Sequence, residues 1–179
     1  MPRIFVGLSL PEMVRDHLML LQGGVPGARW EDRDKLHLTL RFVGDVEGER
    51  LHAVAEALER VSAPPLSLEL AGVGFFPPRG QPRSLWAGVA DGAALVELHR
   101  KIERALAKTG LEPDTRKFAA HVTLARLHDA PEERVAAFIA HHALFRSLAF
   151  ELDHFAMFSS IRSPSGSKYR IERTYPLAG

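Results

Sequence analysis

The chain of 179 residues contains no cysteine. That absence excludes disulfide bonds, thiolate metal sites and a cysteine nucleophile, and it fits the reducing cytoplasm where we expect the protein. An excess of charge of one sign is also missing, because 23 Lys and Arg residues stand against 22 Asp and Glu residues. Such a balance provides no global field for long duplex nucleic acid, so a local patch would have to bind any polyanion.

Long apolar runs are missing as well. No stretch approaches the ~18 consecutive apolar residues that a membrane-spanning helix needs. The first residues reach Pro11 and Glu12 before the apolar core of a signal peptide forms. We therefore expect no membrane contact. The composition, 46% hydrophobic and 25% charged residues, is typical of an ordinary globular protein.

Hydrophobic periodicity divides the chain into two similar halves. In each half the predicted order is strand, helix, strand, helix, strand. The predicted elements are strands at 3–10, 36–43 and 66–76 with helices at 11–22 and 47–61, then strands at 84–90, 118–127, 147–158 and 167–175 with helices at 93–108 and from Pro131 onward.

This order indicates an internal duplication within one domain, residues 1–179. The expected fold is α+β and bilobal, with lobes at about 1–78 and 79–179 and room for strand exchange between them. Two antiparallel sheets would line a central cleft with helices on the outside, related by a pseudo-two-fold axis. The loop at 75–84 is the expected crossover between the lobes.

The middle strand of each half carries the same motif, His-x-Thr. It reads HLT at 37–39 and HVT at 121–123. Residues i and i+2 of a strand share a face, so each copy presents an imidazole beside a hydroxyl. A single copy of the motif is typical of a structural histidine and not of a catalytic one. A structural repeat needs only its apolar pattern preserved, however, so two copies at equivalent places favour a catalytic site.

Two imidazoles and two hydroxyls that face one another suit displacement at phosphorus. Imidazole titrates near neutral pH, so one of His37 and His121 can take a proton from water while the other protonates a departing oxygen. The hydroxyls of Thr39 and Thr123 can donate to non-bridging phosphate oxygens. Arg41, on the His37 face of an alternating strand, can add a charge-assisted hydrogen bond.

Strict alternation assigns the residues beside the motifs to opposite faces. Even-numbered residues from Leu36 to Phe42 are expected on one face of the first motif strand, and odd-numbered residues from His37 to Arg41 on the other. Arg126 lies five residues beyond the second motif histidine. Alternation turns it away from the cleft unless the strand bulges or ends there.

The sequence resembles a known family in the strings that contain these motifs. They are RWEDRDKLHLTLRFVGDV, GVGFFPPRGQPRSLWAGV, FAAHVTLARL and GSKYRIERTYPL. The resemblance is to the bacterial and archaeal RNA 2′,3′-cyclic phosphodiesterases of the 2H phosphoesterase superfamily, also called LigT-like or 2′-5′ RNA ligase-like proteins. It covers nearly the whole chain.

The resemblance implies metal-independent opening of a terminal 2′,3′-cyclic phosphate on RNA or a nucleotide. We expect a monomer that needs no cofactor. The resemblance also implies that His37 is the general acid beside the departing 3′-oxygen and His121 the general base beside the attacking water, so the product would carry a 2′-phosphate. Substrate or phosphate contacts are implied for the motif threonines and their flanks, namely Thr39, Thr123, Arg41, Arg126, Phe42 and Phe76.

One departure from the family pattern and one cluster of cations accompany the resemblance. The family often has a basic residue and a proline just before the second motif, where this chain has Ala119 and Ala120. Arg116 and Lys117 are the nearby cations that we expect to substitute for the missing basic residue. The last strands carry further cations, which form either a solvated edge strand or an RNA backbone contact: Arg162, Lys168, Arg170 and Arg173.

Two other functions remain open beside cyclic-phosphate hydrolysis. One is a non-catalytic module that binds RNA ends or nucleotides, which the retention of both His-Thr pairs disfavours. The other is a 2′-5′ RNA ligase, which would use every residue of the hydrolase site. No H-E-x-x-H string occurs, and no metal site is predicted. The remaining histidines, His99 in a predicted helix among them, are interpreted as structural.

Overall fold

The computed structural model describes residues 2–178. The predicted strands and helices are all present, although the strands predicted at 66–76 and 147–158 are each interrupted, and a short strand and a 3-10 turn lie in a predicted loop. The elements in chain order are β1 (Arg3–Ser9), α1 (Glu12–Met19), β2 (Ala28–Trp30), the 3-10 turn (Arg33–Lys35), β3 (His37–Asp45), α2 (Gly48–Glu59), β4 (Leu66–Leu68), β5 (Leu70–Phe76), β6 (Ser84–Val89), α3 (Ala93–Ala107), β7 (His121–Leu127), α4 (Glu132–His141), β8 (Phe150–Leu152), β9 (His154–Ser163) and β10 (Gly166–Pro176).

Eight strands pair in one continuous path, which consists of two antiparallel four-stranded sheets joined at the centre of the molecule. One sheet has the order β10-β9-β1-β3, and the other has the order β7-β6-β5 with β2 also paired to β7. They join where β3 pairs with β7, and there Leu38 and Val122 are the aligned residues. The predicted α+β fold with two antiparallel sheets is therefore confirmed. β4 and β8 form a separate two-stranded sheet.

Each sheet contains strands from both halves of the sequence. β5, from the first half, pairs with β6, and Phe76 aligns with Ser84. β9, from the second half, pairs with β1, and Phe158 aligns with Phe5. This connectivity leaves the two motif strands, β3 and β7, as neighbours at the junction.

The core lies between the sheets and the helices. α3 buries one stripe at helical spacing, and Leu95, Leu98, Ile102 and Leu106 are each at most 1% exposed. Each such side chain contributes about 1.5–3 kcal/mol on burial. The central residue of each motif belongs to the same core, so the histidine and threonine on either side of it face away from the helices. Within the described part of the chain, no helix is long and apolar enough to cross a bilayer.

Both motif strands contain a β-bulge directly after the threonine. On β3, Thr39 aligns with Gly7 and Arg41 aligns with Val6, which leaves Leu40 as the extra residue. On β7 the same shift in register against β6 leaves Leu124 as the extra residue. The bulge reverses the face of the residues that directly follow it on each strand.

The alternation predicted across 36–43 is wrong beyond the bulge at Leu40. Phe42, expected on the inner face with the leucines, is 52% exposed and lines the cleft. Arg41, expected on the open face, is only 7% exposed. The equivalent bulge on β7 brings Arg126 to the cleft, which is the exception that the sequence allowed for.

Candidate active site

One cleft of about 480 Å³ collects both motifs over the junction of β3 and β7. His37, Thr39, His121 and Thr123 all line it. The other predicted contact residues line the same cleft: Arg41, Phe42, Phe76 and Arg126. His99 and Tyr169, which the sequence did not single out as contacts, line it as well. Among residues 2–178 there is no group of three or more His, Cys, Asp or Glu side chains that could hold a metal ion.

Both histidines are held by the same backbone contact. Nδ1 of His37 lies 2.7 Å from the carbonyl oxygen of Lys35, and Nδ1 of His121 lies 2.7 Å from the carbonyl oxygen of Ala119. A carbonyl oxygen can only accept a hydrogen bond, so Nδ1 carries the proton in each ring. Nε2 is therefore the ring nitrogen that carries the free lone pair when each ring is neutral.

The two motifs differ in what Nε2 contacts. Nε2 of His37 lies 2.8 Å from Oγ1 of Thr39, and in the neutral ring the hydroxyl donates to this nitrogen. Nε2 of His121 has no hydrogen-bond partner among the described residues. Nε2 of His121 is therefore free to bind a water molecule, whereas Nε2 of His37 must give up its hydrogen bond to Thr39 when it binds a ligand.

More aromatic rings lie near His37 than near His121. The ring of Phe5 lies 4.9 Å from that of His37, and Tyr169 meets it edge-on at 5.3 Å. Burial lowers the pKa of His37, the hydrogen bond to the Lys35 carbonyl opposes that shift, and the charges of His121 and Arg126 add to it. The structure thus makes the imidazolium of His37 a stronger acid than a free one.

Phe76 contacts the second motif histidine. Its ring meets that of His121 edge-on, with a centroid distance of 5.0 Å and an angle of 80° between the planes. It also packs at 5.3 Å against Trp86, the residue that aligns with Thr123. Gly74 makes this packing possible, because a Cβ there would lie 2.2 Å from the indole of Trp86.

The two arginines beside the motifs have different surroundings. The guanidinium of Arg41 donates to Glu103 on α3, to the Phe42 carbonyl and, at 2.6 Å, to the Glu112 carbonyl. Its charge is therefore compensated, and a phosphate contact would require exchange of one of these bonds. Arg126 is exposed and forms no ion pair within residues 2–178, so its donors are available to an anion in the cleft.

Two cleft residues carry no local sequence signal. His99 stacks on Phe118 with ring centroids 4.3 Å apart, and its Nε2 lies 3.7 Å from the Glu103 carboxylate. Burial lowers the pKa of His99, and Glu103 opposes that shift. Tyr169 reaches the cleft from β10, where only its place in the string GSKYRIERTYPL singles it out. The positions of His99 and Tyr169 in the cleft depend on how elements that are distant in the sequence pack together.

The cations expected to replace the missing basic residue before the second motif also line the cleft. Arg116 and Lys117 both border it beside Ala119. Nε of Arg116 lies 3.2 Å from the Asp114 carboxylate, which lowers the pKa of Asp114 through that hydrogen bond. Lys117 is the cation on this side without such a partner among the described residues.

Comparison with known proteins places the chain among phosphoesterases. The family model of LigT-like phosphoesterases matches twice, at residues 8–86 and 88–169, so it supports the internal duplication. An RNA 2′,3′-cyclic phosphodiesterase from Archaeoglobus fulgidus is 30% identical over 176 residues, which covers 97% of this chain and 99% of the relative. Another, from Thermus thermophilus, is 32% identical over 189 residues and covers 99% and 91%.

Solved structures agree on the fold. A Thermus thermophilus protein superimposes with a TM-score of 0.82 at 24% identity, covering 99% of this chain and 98% of that one. LigT of E. coli complexed with 3′-AMP superimposes with a TM-score of 0.80 at 23% identity over the full length of both chains. Because the family model matches nearly all of the sequence, the chain belongs to the LigT-like phosphoesterase family.

Proposed function

We propose that the protein is an RNA 2′,3′-cyclic phosphodiesterase, which hydrolyses the cyclic phosphate at the end of an RNA or on a single nucleotide. The observation that carries the proposal is the pair of histidines in one cleft, His37 and His121, each with Nδ1 bonded to a carbonyl and Nε2 left for proton exchange. Relatives of that name are about as long as this chain and align with nearly all of it.

The proposed reaction is an in-line displacement by water. Nε2 of His121 takes a proton from a water molecule as its oxygen bonds to phosphorus. The bond between phosphorus and the 3′-oxygen breaks, and that oxygen takes the proton from Nε2 of His37. The product carries a 2′-phosphate and a free 3′-hydroxyl. Each histidine ends in the protonation state in which the other began, and exchange with solvent restores both.

The surroundings of His37 support its role as the acid. An imidazolium with a lowered pKa is a better proton donor, and the burial of His37 acts in that direction. The anionic phosphodiester raises the pKa again when it binds, so the protonated form is populated in the complex. Thr39 then turns its hydroxyl from Nε2 to a phosphate oxygen.

The remaining cleft residues orient the substrate in this proposal. Thr123 and Arg126 donate to the non-bridging oxygens, where charge develops during displacement. Phe42, which is half exposed, and Phe76 offer faces and edges for a nucleobase. Arg41 holds the middle of β3 against α3 through its bond to Glu103, and its compensated charge makes it a minor contributor to phosphate binding.

Each lobe contributes one histidine, so we propose that the whole chain is one catalytic domain with lobes at about 1–78 and 79–179. A single copy contains both motifs, and the proposed reaction requires no second subunit. Strand exchange between the halves couples the two lobes, which supports a cleft of fixed width.

The test is product analysis. The four nucleoside 2′,3′-cyclic monophosphates and an oligonucleotide with a cyclic phosphate end are incubated with the protein, and the products are resolved against 2′- and 3′-monophosphate standards. We expect the 2′-phosphate. A 3′-phosphate product would overturn the assignment of acid and base, and the absence of turnover on all substrates would overturn the function. Joining to an added 5′-hydroxyl RNA would instead indicate a ligase.

A further inference from the structure

A second groove, of about 440 Å³, opens from the active-site cleft. The two share Glu31, Arg126 and Tyr169, so a ligand can pass from one to the other without leaving the surface. The groove is formed by β2, by the end of β7 and by the turn between β9 and β10. Its further polar lining residues include Arg29, Asp32, Lys35, Arg162, Ser163 and Ser165.

Two arginines lie side by side where the groove meets the cleft. Arg29 on β2 is aligned with Arg126 on β7 in the antiparallel pair. Like charges in directly opposite positions destabilise a sheet. Neither guanidinium lies within 4.0 Å of a carboxylate in the described part of the chain. An anion held between or beside them would relieve this repulsion.

The turn between β9 and β10 brings further positive charge to the same place. A Cβ atom at Gly166 would lie 3.2 Å from Nη2 of Arg29 and 3.6 Å from Nζ of Lys35, so both cationic groups converge on this turn. The positive φ of Gly166, 116°, favours glycine there in any case. Arg162, near the end of β9 beside this turn, also lines the groove.

The balance of charge in the groove is positive. Four cations, Arg29, Lys35, Arg126 and Arg162, line it with two carboxylates. One of the carboxylates, Asp32, pairs with Lys35 at 3.5 Å. Burial raises the pKa of the other, on Glu31, although three neighbouring cations oppose that shift. The groove therefore suits an extended anion with exposed oxygens.

We propose that the groove binds the RNA backbone on the 5′ side of the terminal nucleotide, and that Arg29 with Lys35 holds the first internal phosphodiester. This inference rests on the proposed function, and it makes an oligonucleotide the preferred substrate over a mononucleotide. Arg126 stands between the reacting phosphate and this second one. Charge-assisted contacts of this kind carry affinity without reading the base.

The test compares a dinucleotide that ends in a cyclic phosphate with a cyclic mononucleotide. The ratio of their kcat/KM values is measured for the wild type, for Arg29→Gln and for the control Arg134→Gln on α4, which lines neither cleft nor groove. We expect Arg29→Gln to lower the ratio by about tenfold, as expected for one charge-assisted bond, and Arg134→Gln to preserve it. An unchanged ratio in Arg29→Gln would overturn the proposal.

A neutral methylphosphonate in place of the internal phosphodiester isolates the contact. With that linkage we expect the kcat/KM of the wild type to fall by about as much as Arg29→Gln lowers it for the natural dinucleotide. The kcat/KM of the variant should fall no further. If the methylphosphonate and the Arg29→Gln substitution lower kcat/KM independently and additively, the assignment of Arg29 to this phosphodiester is overturned.

Failure of the proposed function gives a different result from failure of this inference. If the wild type opens neither substrate, the function is wrong, and the groove is tested by binding alone. The probes are then a 3′-phosphorylated dinucleotide and mononucleotide. A tighter dinucleotide complex that Arg29→Gln weakens, with a salt dependence reduced by about one charge, supports the groove. Equal affinities for the two probes overturn it.

Discussion

Leu38 and Val122, the central residues of the two His-x-Thr motifs, are aligned at the junction between the two sheets. Both side chains are fully buried. In an antiparallel pair this alignment sets the histidine of one motif opposite the threonine of the other. The candidate site therefore takes its symmetry from this one aligned pair, which sets two motifs from distant parts of the sequence on neighbouring strands.

The two histidines should each be required for turnover. We expect His37→Gln and His121→Gln to lower kcat by about 10²- to 10⁴-fold, because each variant removes one proton transfer. The matched control is His128→Gln, whose side chain is 94% exposed and outside the cleft. Steady-state kinetics on a cyclic-phosphate oligonucleotide provide the measurement, and circular dichroism checks the fold. Near-normal turnover in either cleft variant would contradict the two-histidine mechanism.

The motif threonines should matter less than the histidines. Thr39→Val and Thr123→Val each remove one neutral donor to the phosphate, so we expect kcat/KM to fall by the equivalent of about 0.5–1.5 kcal/mol. Thr109→Val is the control, since its hydroxyl bonds to the Leu106 carbonyl at the end of α3 and should affect stability alone. A loss as large as that of a histidine variant would assign the threonines a different role.

The ion pair between Arg41 and Glu103 should stabilise the fold only while both partners are present. Glu103→Ala leaves a buried guanidinium uncompensated, and we expect the free energy of unfolding to fall by about 3–5 kcal/mol. The control Glu97→Ala breaks an exposed pair with Arg100, for which we expect at most about 1 kcal/mol. Urea unfolding measures both. Equal losses in the two variants would show that the burial of Arg41 carries no energetic consequence.

Stability should fall as the pH drops from 7.5 to 5.5. The pKa of His37 is lowered in the folded protein, so the unfolded chain binds the proton more readily and acid favours unfolding. The loss begins near the unfolded pKa of about 6.5 and continues down to the folded one. His99 and His142, whose pKa values burial also lowers, contribute in the same direction.

Urea unfolding at the two pH values tests this dependence. His37→Gln should retain only part of the wild-type decrease, whereas His128→Gln should retain all of it. A decrease in His37→Gln as large as that of the wild type would show that His37 titrates alike in the folded and unfolded chains.

Activity should persist in excess EDTA. The cleft residues supply both proton transfers and, through Arg126 and the motif hydroxyls, the charge stabilisation that a divalent ion would otherwise provide. The rate of cyclic-phosphate opening is compared before and after chelation. A sharp loss that Mg²⁺ or Mn²⁺ restores would contradict this expectation.

The duplication and the paired motifs could be predicted from the amino-acid sequence alone. Local rules govern both, because alternation assigns the two sides of a strand and helical spacing identifies the buried stripes. The helix predicted at 93–108 is α3 at Ala93–Ala107 for that reason. The histidines could be singled out because a repeated polar motif has no purpose in packing.

Tertiary structure decided what surrounds those histidines. The bulges after Thr39 and Thr123 arise from pairing with β1 and β6, and they exchange the expected environments of Arg41 and Phe42. The partner of Arg41 is 62 residues away on α3, and Arg29 meets Arg126 only because β2 pairs with β7. Contacts of this range depend on how whole elements pack, which no local pattern in the chain encodes.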